Sequence, residues 1–234
     1  MFFDPLYFVI LAPAMLLSAW AAWSTRSRFA EWSDVPTATG MSGAEVARYL
    51  LDRFGLSHIR VVPHEGILSD HYDPKEKEVR LSESVFYDRS ISAIAVAAHE
   101  VGHAIQDKEQ YAPLALRNAA VPVASFGSNV SFILIAIGFA IASVQLIWLG
   151  ILFFSAVVLF QIITLPVEFD ASRRAKEALA KLGIVTDRRE AEGVSKVLNA
   201  AAMTYVGAAL TSVLTLLYYL IRLGVFSGGR NEEE

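Results

Sequence analysis

Three stretches of the chain carry no charged side chain: residues 5–25, 118–167 and 197–221. A helix crossing the roughly 30 Å hydrocarbon core of a bilayer needs about 20 consecutive apolar residues. The first and third stretches each suffice for one crossing, and the middle one for two crossings joined by a tight turn. Four transmembrane helices are therefore expected in a mainly α membrane protein. A hydrophobic content of 54% against 19% charged residues in 234 agrees with this and sets the chain apart from ordinary soluble domains. Ser125, Ser128, Asn129 and Ser131 make the start of the second span its most polar part. Two cytoplasmic segments are expected, 24–118 and 168–200, among four spans at 1–23, 119–144, 146–167 and 201–222, with a short tail at 223–234.

The charges between the spans predict orientation. Of the 20 Lys and Arg residues, 11 lie between the first and second spans and 7 between the third and fourth; Arg222 and Arg230 follow the last. Four spans put both termini on one side and both basic segments on the other, so the positive-inside rule places the basic segments in the cytoplasm. The first span lacks a preceding basic residue and a small-residue cleavage site, so it reads as an anchor and not a removable signal. The net charge of -4 argues against a nucleic-acid partner. The chain has no cysteine, so any metal must be held by His, Asp or Glu.

Such a set occurs in the first basic segment, at His99-Glu100-Val101-Gly102-His103, flanked by strong helix formers. On a helix the two histidines point off one face and can share a metal ion, while Glu100 lies one step round, placed as a general base for an attacking water. His-Glu-x-x-His is the pattern of zinc hydrolases. Ser90 or Ser92 can cap this helix, and Ile91, Ile94, Ala95 and Ala98 give it an apolar face. Upstream, Ser24 to Gly40 reads as a polar linker, either a regulatory flap or a tether. Ser42 to Phe54 reads as a helix opened by a Ser42/Glu45 capping box and closed at Gly55. Ile59 to Val62 reads as a strand, and two extended pieces around Lys75 to Glu78, the first from Leu68, suggest a hairpin. The strand edge at Asp70, His71 and Tyr72 either binds an extended substrate or is a plain surface turn. His71, and more weakly His58 and His64, are rival metal ligands.

A catalytic zinc takes three protein ligands and keeps a fourth position for water. The continuation His-x-x-Gly-x-x-His fails, because positions 106 and 109 are Gln106 and Glu109. Glu168 is the first charged residue after the long middle tract, at the cytoplasmic end of the third span. By position alone it is either a ligand or a carboxylate that meets water where the membrane stops, and Asp170 is its local rival.

Asp70-His-Tyr-Asp-Pro74, Val79-Arg-Leu-Ser82, Ala97-Ala-His-Glu-Val-Gly-His-Ala-Ile-Gln106 and Leu165-Pro-Val-Glu-Phe-Asp-Ala-Ser-Arg-Arg174 together resemble the bacterial membrane zinc metallopeptidases of the YugP type. The similarity extends over nearly the whole chain, including the order of spans. More distantly the layout is similar to the HtpX and CAAX-prenyl-protease group of gluzincins. The resemblance implies a cytoplasmic gluzincin-like α+β catalytic domain with a small sheet, in the bacterial inner membrane. It implies one zinc ion on His99, His103 and Glu168, and peptide-bond hydrolysis in membrane or membrane-proximal proteins with Glu100 as general base. In the wider group an Asp follows the third ligand by four positions; this chain has Ser172 there, with Asp107 and Asp170 as other candidates for that supporting role. An oxyanion donor is sought among Tyr205, Arg173 and His71.

Two further readings stand beside the peptidase. One is an intramembrane site-2-type protease, against which Asp88, Arg89, Asp107 and Lys108 bracket the zinc helix with charge. The other is a membrane scaffold or assembly factor whose zinc site is structural or degenerate. Expected partners are a protein or peptide substrate and the bilayer; membrane-protein partners or self-association stay open.

Overall fold

The computed structural model describes residues 4–66 and 69–224. Residues 1–3 of the first span, Leu68 at the start of the second extended piece, and tail residues 225–234, Arg230 among them, lie outside the described residues. Two compact units are present: one built from residues 1–20, 116–165 and 205–234, the other from 21–115 and 166–204. The described chain forms helix α1 (Pro5–Ser33), α2 (Gly43–Arg53), strands β1 (Arg60–His64), β2 (His71–Asp73) and β3 (Glu78–Ser82), then α3 (Glu83–Phe86), α4 (Ile91–Lys108), α5 (Ala112–Ala140), α6 (Val144–Lys181) and α7 (Arg188–Arg222).

Four of these helices, α1, α5, α6 and α7, are long and apolar enough to cross a membrane, as the uncharged stretches predict. In the first unit their large apolar side chains stay uncovered by protein: Leu16 and Phe132 are each 72% exposed. A soluble protein does not leave such a surface to water, whereas lipid tails are a suitable solvent for it. Within this unit Ser18 and Thr211 face each other at 3.4 Å. Asp4 accepts a hydrogen bond from the Tyr218 hydroxyl at 2.9 Å and pairs with Arg222 at 3.3 Å.

In the second unit α4 is the hub. It is buried over most of its length, and Leu50, Leu51, Ile59, Val79, Leu81, Leu179 and Ile184 are fully buried in the same apolar cluster as Ile91 and Ile94. Ser90 caps α4, accepting from Ala93 N–H. Ser42 and Glu45 form the expected capping box on α2, and Gly55 follows it at φ 66°. The three-stranded sheet has the order β1-β3-β2. β2 and β3 form the expected antiparallel hairpin, Tyr72 opposite Val79, whereas β1 runs parallel to β3, Val61 opposite Val79.

The linker reading of residues 24–40 needs correction. The chain stays helical to Ser33, where Thr25 and Ser33 hydroxyls donate to the carbonyls of Ala21 and Phe29 and so cost the helix little. The remainder is a strap fixed at three points. Val35 O accepts from Ile91 N at 3.0 Å, Thr37 N donates to Arg89 O at 2.9 Å, and Ala38 N donates to the Glu190 carboxylate at 2.8 Å. It thus pins the N-terminus of α4, the helix that carries the His-Glu-x-x-His motif.

Candidate metal centre

The five-residue motif occupies the middle of α4, so His99 and His103 project from one face, their rings edge to face at 4.8 Å between centroids. Glu168 comes from α6 and is 2% exposed. Its Oε2 lies 3.2 Å from Nε2 of His99 and 3.5 Å from Nε2 of His103. One ligand atom from each residue falls within 4.8 Å of the others, and among the described residues this is the group found able to hold a metal ion.

The approach of α4 to α6 depends on a glycine. A Cβ built on Gly102 would stand 2.6 Å from the backbone carbonyl oxygen of Ala171, well inside contact distance. Only an unsubstituted Cα lets the two backbones come this close, and that closeness brings Glu168 to the histidines.

The other ring nitrogens are occupied by the protein. Ser172 Oγ lies 3.1 Å from Nδ1 of His99, so the residue standing where the wider group has Asp does reach one of the two histidines of the metal-capable group. Gln106, fully buried, places Oε1 3.0 Å from Nδ1 of His103 and donates through Nε2 to Val167 O at 2.8 Å and to Asp170 Oδ2 at 2.9 Å. With both Nδ1 atoms engaged, both Nε2 atoms and a carboxylate are left converging on one point. That is the nitrogen and oxygen donor set zinc takes, with each imidazole held from behind. Zinc therefore fits these residues.

Glu100 is buried beside His99, and burial pushes its carboxyl above the usual range. His99 and His103 pull the other way, while Glu168 and Asp70 add to the upward push. Asp70 is also raised by burial, against hydrogen bonds from the Ser82 backbone and hydroxyl, and this carboxylate joins the start of β2 to the end of β3.

The remaining candidates have other partners. His71 holds Ser69 O through Nδ1 at 2.8 Å and stacks edge to face on His64, and His58 is exposed in a turn; none of these three belongs to the metal-capable group. Tyr72 donates its hydroxyl to Asp107 at 2.7 Å, which ties β2 to the last turn of α4 and occupies Asp107. Arg173 pairs with Glu177 and Asp170. Tyr205 is half-buried on α7 and belongs to the apolar unit. Gln106 is the residue the sequence reading passed over. Its signal was its place three residues after His103, on the same helical face.

Comparison with known proteins agrees with this geometry. Residues 7–224 match the family described as "Putative neutral zinc metallopeptidase". The chain is 48% identical over 227 residues to "Putative membrane protease YugP" of Bacillus subtilis (strain 168), which covers 97% of this chain and 99% of that protein. No solved structure matches. With the family matched over almost its full length, the chain belongs to the neutral zinc metallopeptidases, and it is a peptidase.

Proposed function

We propose that the protein is a membrane-embedded zinc endopeptidase that cleaves membrane or membrane-proximal proteins on the cytoplasmic side, with one zinc held by His99, His103 and Glu168. The observation that carries this reading is the convergence of both Nε2 atoms on the Glu168 carboxylate while both Nδ1 atoms are held from behind. Bound there, zinc would supply Lewis acidity to a scissile carbonyl and to a water that attacks near neutral pH. Glu100 takes the proton of the attacking water and passes it to the departing amide nitrogen, and its burial raises its proton affinity towards the range that work needs. Tyr205, near the start of the last span, is our candidate donor to the oxyanion.

An extended substrate pairs with the outer edge of β2, at Asp70, His71 and Tyr72. The other sheet edge is a poor alternative. Arg60 N donates to Lys77 O, so Arg60, Val62 and His64 face β3, and the outward positions of β1 include Pro63, which has no N–H to offer. Cytoplasmic placement rests on the basic segments between the spans, whereas the gluzincin-like reading of the domain formed by the two segments at 24–118 and 168–200 rests on the resemblance of its motifs.

Zinc content and cleavage of membrane-fraction proteins by the purified chain test the proposal together. About one zinc per chain is expected, and Glu100→Ala should keep that zinc while losing cleavage by a factor of about 100 or more. Full cleavage by Glu100→Ala rules out the assignment.

A further inference from the structure

Gln106 has chemistry that neither the zinc ligands nor the general base account for. Its side chain is fully buried and makes three polar contacts: Oε1 to His103 Nδ1 at 3.0 Å, Nε2 to Val167 O at 2.8 Å and Nε2 to Asp170 Oδ2 at 2.9 Å. A backbone carbonyl only accepts, so the Gln106 nitrogen must face Val167, and the same orientation satisfies the Asp170 carboxylate. The amide oxygen is then left to His103. It too only accepts, so His103 Nδ1 must carry the hydrogen, and the lone pair of the neutral ring stands on Nε2, the atom that faces Glu168. Ser172 makes no such selection at His99, because a hydroxyl can donate or accept.

The same amide ties the two halves of the site together. Val167 and Asp170 flank Glu168, so the side chain that sets the ring of His103 on α4 also grips the turn of α6 that delivers the carboxylate. Asp170 is braced in turn by Arg174, which pairs at 2.6 Å with Glu109, the residue that caps the C-terminus of α4 three positions beyond Gln106. We infer that Gln106 is a positioning residue for the metal centre: it holds His103 in the Nδ1–H form and locks that ring to the Glu168 turn, so that one uncharged side chain sets two ligands. This rests on His99, His103 and Glu168 being the zinc site.

The test uses the full-length chain in detergent micelles, with zinc affinity measured by competition with a chelator and histidine selectively labelled with nitrogen-15. In the zinc-loaded wild type, His103 should show an exchange-protected Nδ1–H resonance with a nuclear Overhauser contact to the Gln106 side chain. Gln106→Met should abolish that resonance and lower zinc affinity by about 10-fold to 100-fold. Gln106→Glu keeps an acceptor for His103 but sets a carboxylate against Asp170 and Val167 O, so it too should bind zinc more weakly. Adding Asp170→Asn returns a donor to that position and should recover about half or more of the Gln106→Glu loss on a logarithmic scale, which a residue that only fills space would not do.

Absence of the resonance from zinc-loaded wild type overturns the inference without reference to any variant's folding. So does zinc binding by Gln106→Met within about twofold of wild type, or no recovery in the double variant. A wild type that binds no zinc removes the zinc reading itself, an outcome distinct from these.

Discussion

Gly102 on α4 and Ala171 on α6 meet backbone to backbone: a Cβ at position 102 would lie 2.6 Å from the Ala171 carbonyl oxygen. The contact sits between the two histidines in sequence and one turn after Glu168, so it sets how near the carboxylate comes to the imidazoles. Gly102→Ala must push the helices apart or distort them. Overpacking of this kind costs about 1–3 kcal/mol. The variant should melt earlier than wild type, and its zinc affinity should fall by about tenfold or more, since separated ligands no longer close on one ion. Equilibrium zinc competition beside a thermal melt checks both; unchanged affinity would mean that the helix approach does not govern the site.

Ser172 and Glu168 make a graded pair of predictions. Glu168→Ala removes one of the three proposed ligands and should abolish stoichiometric zinc binding in micromolar metal. Ser172→Ala removes only the hydroxyl 3.1 Å behind His99 Nδ1 and should weaken zinc by about 10-fold to 100-fold, with the ligands intact. Restoring the wider group's residue with Ser172→Asp should bring affinity back to wild type or above it, because a carboxylate is the stronger acceptor for an imidazole N–H. A chelator titration of the three variants ranks them.

Local signals in the chain carried the elements whose causes are local. The Ser42/Glu45 capping box, the Ser90 cap and the spacing of His99 and His103 each depend on a few neighbouring residues, and all appear in the structure as the sequence predicts. What was not legible depends on distant partners. Residues 24–33 look like a polar tether, yet Trp32 packs against Gly193, the Ser92 hydroxyl donates to Phe29 O and Thr25 donates to Ala200 O, so tertiary contacts carry α1 past the point where composition would end it. The parallel pairing of β1 with β3 skips a strand, and no local pattern encodes it. Gln106 escaped notice because an amide has neither charge nor metal affinity; its importance appears only once Val167 and Asp170 are placed beside it.

Tyr72 offers a test of the proposed substrate edge apart from the metal. Its hydroxyl donates to Asp107 at 2.7 Å and fixes the edge strand β2 to α4; burial, then that bond, keeps the phenol in its protonated form. Tyr72→Phe leaves the ring and removes the tie, at about 1 kcal/mol of stability. If the β2 edge receives substrate, KM for a peptide should rise severalfold while kcat changes little and zinc affinity stays within about twofold, the pattern of lost uniform binding. A fall in kcat with KM unchanged would place Tyr72 outside substrate binding.

The capping box supplies a pH prediction away from the metal. Glu45 accepts from the Ser42 backbone N–H at 2.8 Å and pairs with Arg89, and these two partners hold its carboxyl below the usual range. A depressed folded-state pKa means that ionised Glu45 favours the fold. That contribution is complete above the unfolded-state value near about 4.3 and is lost as pH falls through the lower folded-state value. Glu45→Ala should therefore melt earlier than wild type at pH about 7, with the gap closing below pH about 4 as the wild-type carboxylate takes up its proton. Melts of metal-free protein across that range check the sign, keeping zinc release by the acidified histidines out of the comparison; a gap that widens towards acid would contradict the assignment of Glu45 as an ionised cap.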